Sequence, residues 1–116
     1  MTLKDKFHLQ KVRESTENVA DALELGTLTE HEVINTAIKV YGDVAQENVA
    51  IEECAELIQA ISHKHRGRSN NIAEEIADVE IMLEQLKIIN NCREEVAEIH
   101  KQKIVRLFNN VCDECF

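Results

Sequence analysis

Hydrophobic residues recur three and four positions apart along most of the chain, which is the signature of amphipathic helices. Phe7, Val12, Val19, Ala20 and Leu23 predict a helical segment between Met1 and Leu25, with an imperfect match to one face. Gly26 supplies a stop. Thr27 or Thr29 opens the second helix, and Thr29 with Glu32 fits a capping box. Val33, Ile34, Ala37, Ile38 and Val40 carry that helix to Tyr41, and Gly42 breaks it. Asp43 is the expected cap of a third helix, with Gln46 at the capping-box position. This helix runs from about Val44 to Ser62, with Val49, Ala50, Leu57, Ile58 and Ile61 on its apolar side. The turn from His63 to Asn71 contains Gly67, and Asn71 with Glu74 gives another capping box. Ile72, Ile76, Val79, Met82, Leu83, Leu86 and Ile89 then mark a fourth helix. Asn90 and Asn91 interrupt it. A fifth helix spans about Arg93 to Asn109, carrying Val96, Ile99, Ile104, Leu107 and Phe108.

Composition supports the same picture. The chain has no proline, three glycines, three phenylalanines and one tyrosine, and 44% of its residues are apolar, chiefly aliphatic. A sheet protein needs more turn residues and aromatics, so the fold class is all-α. A chain of 116 residues without a dividing linker reads as one domain. Its core is modest, and aliphatic helices often complete theirs by oligomerising. The net charge of −9 argues against binding a nucleic-acid backbone, which needs a basic stripe, and against anionic membranes. No apolar run reaches the ~20 residues that span a bilayer. Met1 to Gln10 is polar and mixed in charge, unlike a signal peptide, so a cytoplasmic setting with reduced cysteines is expected.

The stretch Ile51 to Leu86 carries the candidate chemistry. Glu52, Glu53 and Glu56 form one acidic cluster, and Glu74, Glu75 and Asp78 form a second. Both sit inside apolar helical patterns on consecutive helices. Residues three apart share a helix face, so Glu53 and Glu56 are neighbours, as are Glu75 and Asp78. Folding the two helices together gathers four carboxylates, an arrangement that is costly without a cation. Oxygen-only ligands suit Mg²⁺, or Mn²⁺. At 1.5 Å per residue Glu56 lies ~13 Å before the turn, while Glu75 and Asp78 lie ~5 to 9 Å beyond it. The levels differ by about one turn, a gap that side-chain reach and a bridging cation can close. The competing reading is that these acids are simply solvated helix surface.

This stretch resembles the MazG-type family of all-α nucleoside triphosphate pyrophosphohydrolases, whose pattern is EExxE followed on the next helix by ExxD. Glu52-Glu53-Cys54-Ala55-Glu56 matches the first half, and Glu75-Ile76-Ala77-Asp78 matches the second. Tyr41-Gly42 and Gln46 resemble the lead-in, and Lys103 with Arg106-Leu107 resembles the K-x-x-R-L near the end of the last core helix. The resemblance covers about Thr29 to Asn110. It implies a bundle of about four core helices over 29–110, with an N-terminal helical extension over 1–28 and a tail over 111–116. It implies Mg²⁺-dependent cleavage of a nucleoside triphosphate into monophosphate and pyrophosphate. Glu53, Glu56, Glu75 and Asp78 match the metal ligands. Glu52 is the candidate for orienting or deprotonating water, although it points about 100° away from Glu53. Helices packed between subunits are also implied, and a homo-oligomer is expected, a tetramer built from dimers or else a dimer.

Basic residues complete the candidate site. Lys103 and Arg106 share a face and are candidates for binding the substrate's phosphates. Lys64, Arg66 and Arg68 either hold phosphates from the turn or form a solvated cluster favourable to the helix dipole. Gln46 is a further substrate-binding candidate, and Tyr41 either stacks on a base or packs at a core or interface. Cys112 and Cys115 form a CxxC, but structural zinc needs four ligands and no second pair accompanies it. A di-iron carboxylate bundle needs Glu-x-x-His motifs, and none of the five histidines has Glu three residues before it. A non-catalytic helical interaction protein fits the composition but leaves the two-helix acid pattern as coincidence. A related phosphoribosyl-ATP pyrophosphohydrolase shares the metal motif, so a substrate panel must separate the two.

Overall fold

A computed structural model describes residues 3–15 and 19–115. These residues form six helices: α1 Leu3–Ser15, α2 Val19–Leu25, α3 Glu30–Tyr41, α4 Asp43–His65, α5 Ile72–Ile89 and α6 Arg93–Cys115. No strand occurs among the described residues, so the protein is all-α. The region 1–25, expected to be helical, holds two helices, and residues 16–18 between them lie outside the description. No helix among the described residues is long and apolar enough to cross a membrane.

The helix ends follow from local chemistry. Thr29 caps α3, its hydroxyl accepting from the Glu32 backbone N–H at 3.1 Å. This is half of the expected capping box. The Glu32 carboxylate does not fold back but meets His8 Nε2 of α1 at 2.8 Å. Gly42 separates α3 from α4 with φ 91°, and its N–H donates to the Ile38 carbonyl at 2.8 Å. Gly42 itself occupies the cap position of α4, so Asp43, expected as the cap, is the first helical residue instead.

Two αL residues close the next two helices in the same way. At the end of α4, Arg68 N–H donates to His63 O and Gly67 N–H to Lys64 O. At the end of α5, Cys92 N–H donates to Lys87 O and Asn91 N–H to Ile88 O. Both are Schellman closures, with Gly67 at φ 69° and Asn91 at φ 48°. The helix α4 continues to His65 and not only to Ser62, because nothing before Gly67 breaks it. The helix α6 runs past Asn109 to Cys115, because the chain holds neither glycine nor proline beyond Gly67. Cys112 and Cys115 are therefore helical.

The centre of the fold is the antiparallel pair α4 and α5, with α3 packed on both. Ile34, Ile38, Ala50, Ala60 and Met82 are buried there, and the two alanines let the helices approach closely. Several residues expected on core faces point outward: Ile58, Ile61, Ile76 and Leu83 are exposed. No described residue of α6 is buried, and its main contact is with α5. The radius of gyration is 18.4 Å, against about 13 Å for a compact domain of this length.

The αL closures give a stability test. Gly67→Ala places a Cβ in the left-handed region and should cost about 1 kcal/mol. Asn91→Gly should leave stability equal or raise it slightly. Urea unfolding followed by circular dichroism measures both.

Candidate metal centre

The register of α4 against α5 can be read from three contacts. Buried Gln46 donates through Nε2 to buried Gln85 Oε1 at 2.6 Å. Seven residues along α4, and seven back along α5, Glu53 faces Asp78. Three residues further, Glu56 stands beside Glu75, and its charge helps to raise the Glu75 carboxyl. From Gln46 to the end of α4 is about 28 Å, whereas from the start of α5 to Gln85 is about 20 Å. The turn 66–71 makes up the remaining ~9 Å before α5 begins. The acids therefore meet at one level through the path of the turn, with no gap left for side chains to bridge.

The structure brings Glu53, Glu75 and Asp78 together, with one oxygen from each lying within 4.8 Å of the others. Glu75 is buried, while Glu53 and Asp78 are half-buried. Burial, then the charges of Glu56 and Asp78, push the Glu53 carboxyl up from 4.5 to about 7. Burial also raises Glu75, opposed by a hydrogen bond from Asn71 Nδ2 to Glu75 Oε1 at 2.6 Å. The second oxygens, Glu53 Oε2 and Glu75 Oε2, are buried and have no hydrogen-bond partner. Among the described residues no ion pair reaches any of these acids. Two orphaned buried oxygens in an all-oxygen donor set fit a hard divalent cation. Glu56 is exposed, outside the tight trio but adjacent to it.

The other candidates stand elsewhere. Glu52 is exposed and outside the trio. Gln46 sits two turns below the acids with its amide bonded to Gln85. Lys64 lies in the last turn of α4 and Arg66 begins the turn, both exposed and at least two turns above Glu56. Lys103 and Arg106 are exposed on α6 and make no ion pair with the acids. Asn71 was expected to cap α5, but its side chain makes no capping bond. Asn70 Oδ1 instead accepts from Ile72 N–H at 3.3 Å. The i, i+4 spacing of Asn71 and Glu75 is the signal that could have found their bond.

A groove of about 920 Å³ lies between α3 and α5, lined by Ile34, Ile81 and Ile88 together with Glu80, Glu84 and Lys87. None of the clustered acids lines it. The groove's Glu84 is already paired with Lys87 and Arg93, whereas Glu53 and Glu75 each keep a buried oxygen without a partner, so the acid cluster is the candidate centre. Comparison with protein-family models, with curated proteins and with solved structures finds no match to this chain. The site is thus defined by its own geometry: a carboxylate centre at a helical hairpin.

Linkage theory gives the sign of a pH effect. Between 4.5 and about 7, Glu53 is ionised in the unfolded chain and still protonated in the fold. Its contribution to stability is present at low pH and lost as pH rises through 7. In chelator, Glu53→Gln should therefore be more stable than the parent protein at pH 8, and the difference should shrink towards pH 5. Thermal melts of both proteins across that range measure it.

Proposed function

We propose that this protein is a MazG-like nucleoside triphosphate pyrophosphohydrolase, dependent on Mg²⁺, with Mn²⁺ as an alternative. The observation that carries the reading is the pair of orphaned oxygens, Glu53 Oε2 and Glu75 Oε2, in a carboxylate trio without a counter-charge. Its position on two consecutive helices is that of the EExxE and ExxD motifs. Glu53, Glu56, Glu75 and Asp78 hold the cation. Bound Mg²⁺ would neutralise phosphate charge and lower the pKa of water. Glu52, exposed on the same turn of α4, is the residue assigned to orient or deprotonate the attacking water.

The polyanionic substrate cannot approach these carboxylates unaided, so its phosphates must lie against the cation. Attack at the α-phosphorus releases intact pyrophosphate, and Lys103 and Arg106 take charge developing on the leaving group. No GxxxxGK[ST] loop occurs in the sequence to support γ-phosphate transfer in the P-loop manner. Reaction in ¹⁸O-labelled water should place the label in the monophosphate and none in pyrophosphate. Glu53→Gln and Asp78→Asn should each abolish Mg²⁺-dependent turnover while the fold survives, since each removes repulsion along with a ligand. Orthophosphate release, or normal turnover in either variant, would overturn the reading.

The proposed protein is a homo-oligomer, a dimer of dimers. Its accessible surface is 9162 Å², about 2,700 Å² more than a compact monomer of this mass exposes. A standard interface removes only about 800 Å² per partner. Ile104, Leu107, Phe108 and Val111 are all at least half exposed on α6, the helix that bears Lys103 and Arg106. Packing α6 on another subunit covers these residues and brings the two cations to a neighbouring acid cluster. Light scattering at micromolar concentration should give the mass of four chains, or of two; a monomer would contradict this.

A further inference from the structure

We propose that Asn71 is a positioning residue for the metal centre, one that fixes the Glu75 carboxylate so that its second oxygen faces the site. This rests on the cation-binding reading of the acid cluster and names a residue which that reading does not contain.

The geometry around Asn71 is specific. It stands at the cap position of α5, where an asparagine ordinarily accepts from the first free backbone N–H groups. Here its side chain makes no such bond. The neighbouring Asn70 takes part of that task by accepting from Ile72 N–H. The Asn71 amide reaches one turn along α5, and its Nδ2 donates to Glu75 Oε1 at 2.6 Å.

Glu75 needs such a partner. Only 6% of the residue is exposed, and its other oxygen has no hydrogen-bond partner. Rotation about the last side-chain bond of a glutamate is broad and roughly two-fold. With Oε1 held by Asn71, rotation is arrested, and the buried, unpartnered Oε2 is left for the site that Glu75 shares with Glu53 and Asp78. The other side chain within hydrogen-bonding reach of this carboxylate, Glu56, is itself an acid, so Asn71 supplies the neutral donor. A bond of this kind behind a ligand fixes its orientation and raises affinity for the ion; removing it typically weakens binding by about 10- to 100-fold.

The test measures Mn²⁺ binding directly, by loss of the free-ion electron paramagnetic resonance signal, in the full chain. Asn71→Leu keeps the size of the side chain and removes the donor; Asn71→Asp keeps its shape and replaces the donor by an acceptor. Both should weaken Mn²⁺ binding by about ten-fold or more with the helical circular dichroism signal unchanged. Asn71→Gln, which retains an amide donor, should recover part of the loss. Asn70→Ala removes the helix-end bond but not the bond to Glu75, so it should leave the dissociation constant within two-fold of the parent. An Asn71→Leu protein that binds as tightly as the parent overturns the proposal and leaves the metal centre standing. Equal weakening in Asn70→Ala also overturns it, because the end of α5 and not the amide would then be responsible. No saturable Mn²⁺ binding by the parent protein overturns the metal centre, and this proposal with it.

Discussion

Mutual repulsion among carboxylates at one level of a helical hairpin is the constraint on which the structure turns. Glu53, Glu75 and Asp78 converge within 4.8 Å, and Glu56 stands beside them. Packing Ala50, Ala60 and Met82 between α4 and α5 draws these charges together. Burying a hydrophobic side chain is worth about 1.5–3 kcal/mol, and alanine gives less. An unpaired buried charge costs several kcal/mol. The seam alone therefore does not favour four ionised acids. The elevated Glu53 carboxyl is the fold's partial answer, a proton that removes one of the charges.

What holds the acids in register despite this is polar as well as apolar. The buried bond between Gln46 and Gln85 lies two turns from Glu53 and Asp78 along the same seam. A buried amide pair is satisfied in one alignment only, and a slip of either helix would leave both groups unpaired. The turn 66–71 performs the matching task at the other end by returning along the hairpin axis before α5 starts. Glu84 then links α5 to the beginning of α6. It pairs with Lys87 at 2.8 Å and with Arg93 at 2.9 Å, bonds that hold its carboxyl below the usual range.

Much of this was legible in the residues, for stated reasons. Gly67 and Asn91 punctuate the helices because glycine and asparagine tolerate αL backbone, and Gly42 does so at φ 91° and ψ 156°, a region open to glycine. The i, i+3 spacing of Glu53 with Glu56, and of Glu75 with Asp78, placed the acids on facing stripes. The register was not legible, because it depends on how far the turn climbs, and nothing in HKHRGRSNN encodes a rise of ~9 Å as a pattern. Nor was the bond from Asn71 to Glu75: an asparagine before a helix reads as a cap, and only the geometry shows its amide on the carboxylate. The outward orientation of Ile58, Ile76 and Leu83 was hidden for another reason. Apolar periodicity marks a face that avoids water, and it does not say whether the same chain covers that face.

Two demands thus remain unmet within one chain, and they differ in kind. The acid cluster lacks positive charge, which an exposed Lys103 or Arg106 supplies poorly to a buried oxygen, because a long basic side chain gives up solvation and rotamer freedom to get there. A small hard cation fits that demand better. The helix α6 lacks apolar cover, which no ion supplies, and Phe108 at 66% exposure shows how far from satisfied that face is. A second copy provides cover of matching chemistry at no cost in new sequence. The two demands meet on α6 itself, where Lys103 and Arg106 alternate with Ile104, Leu107 and Phe108. In the assembly proposed here, docking the apolar residues would fix where the two cations go, so one surface would both join the subunits and deliver positive charge to the substrate's phosphates.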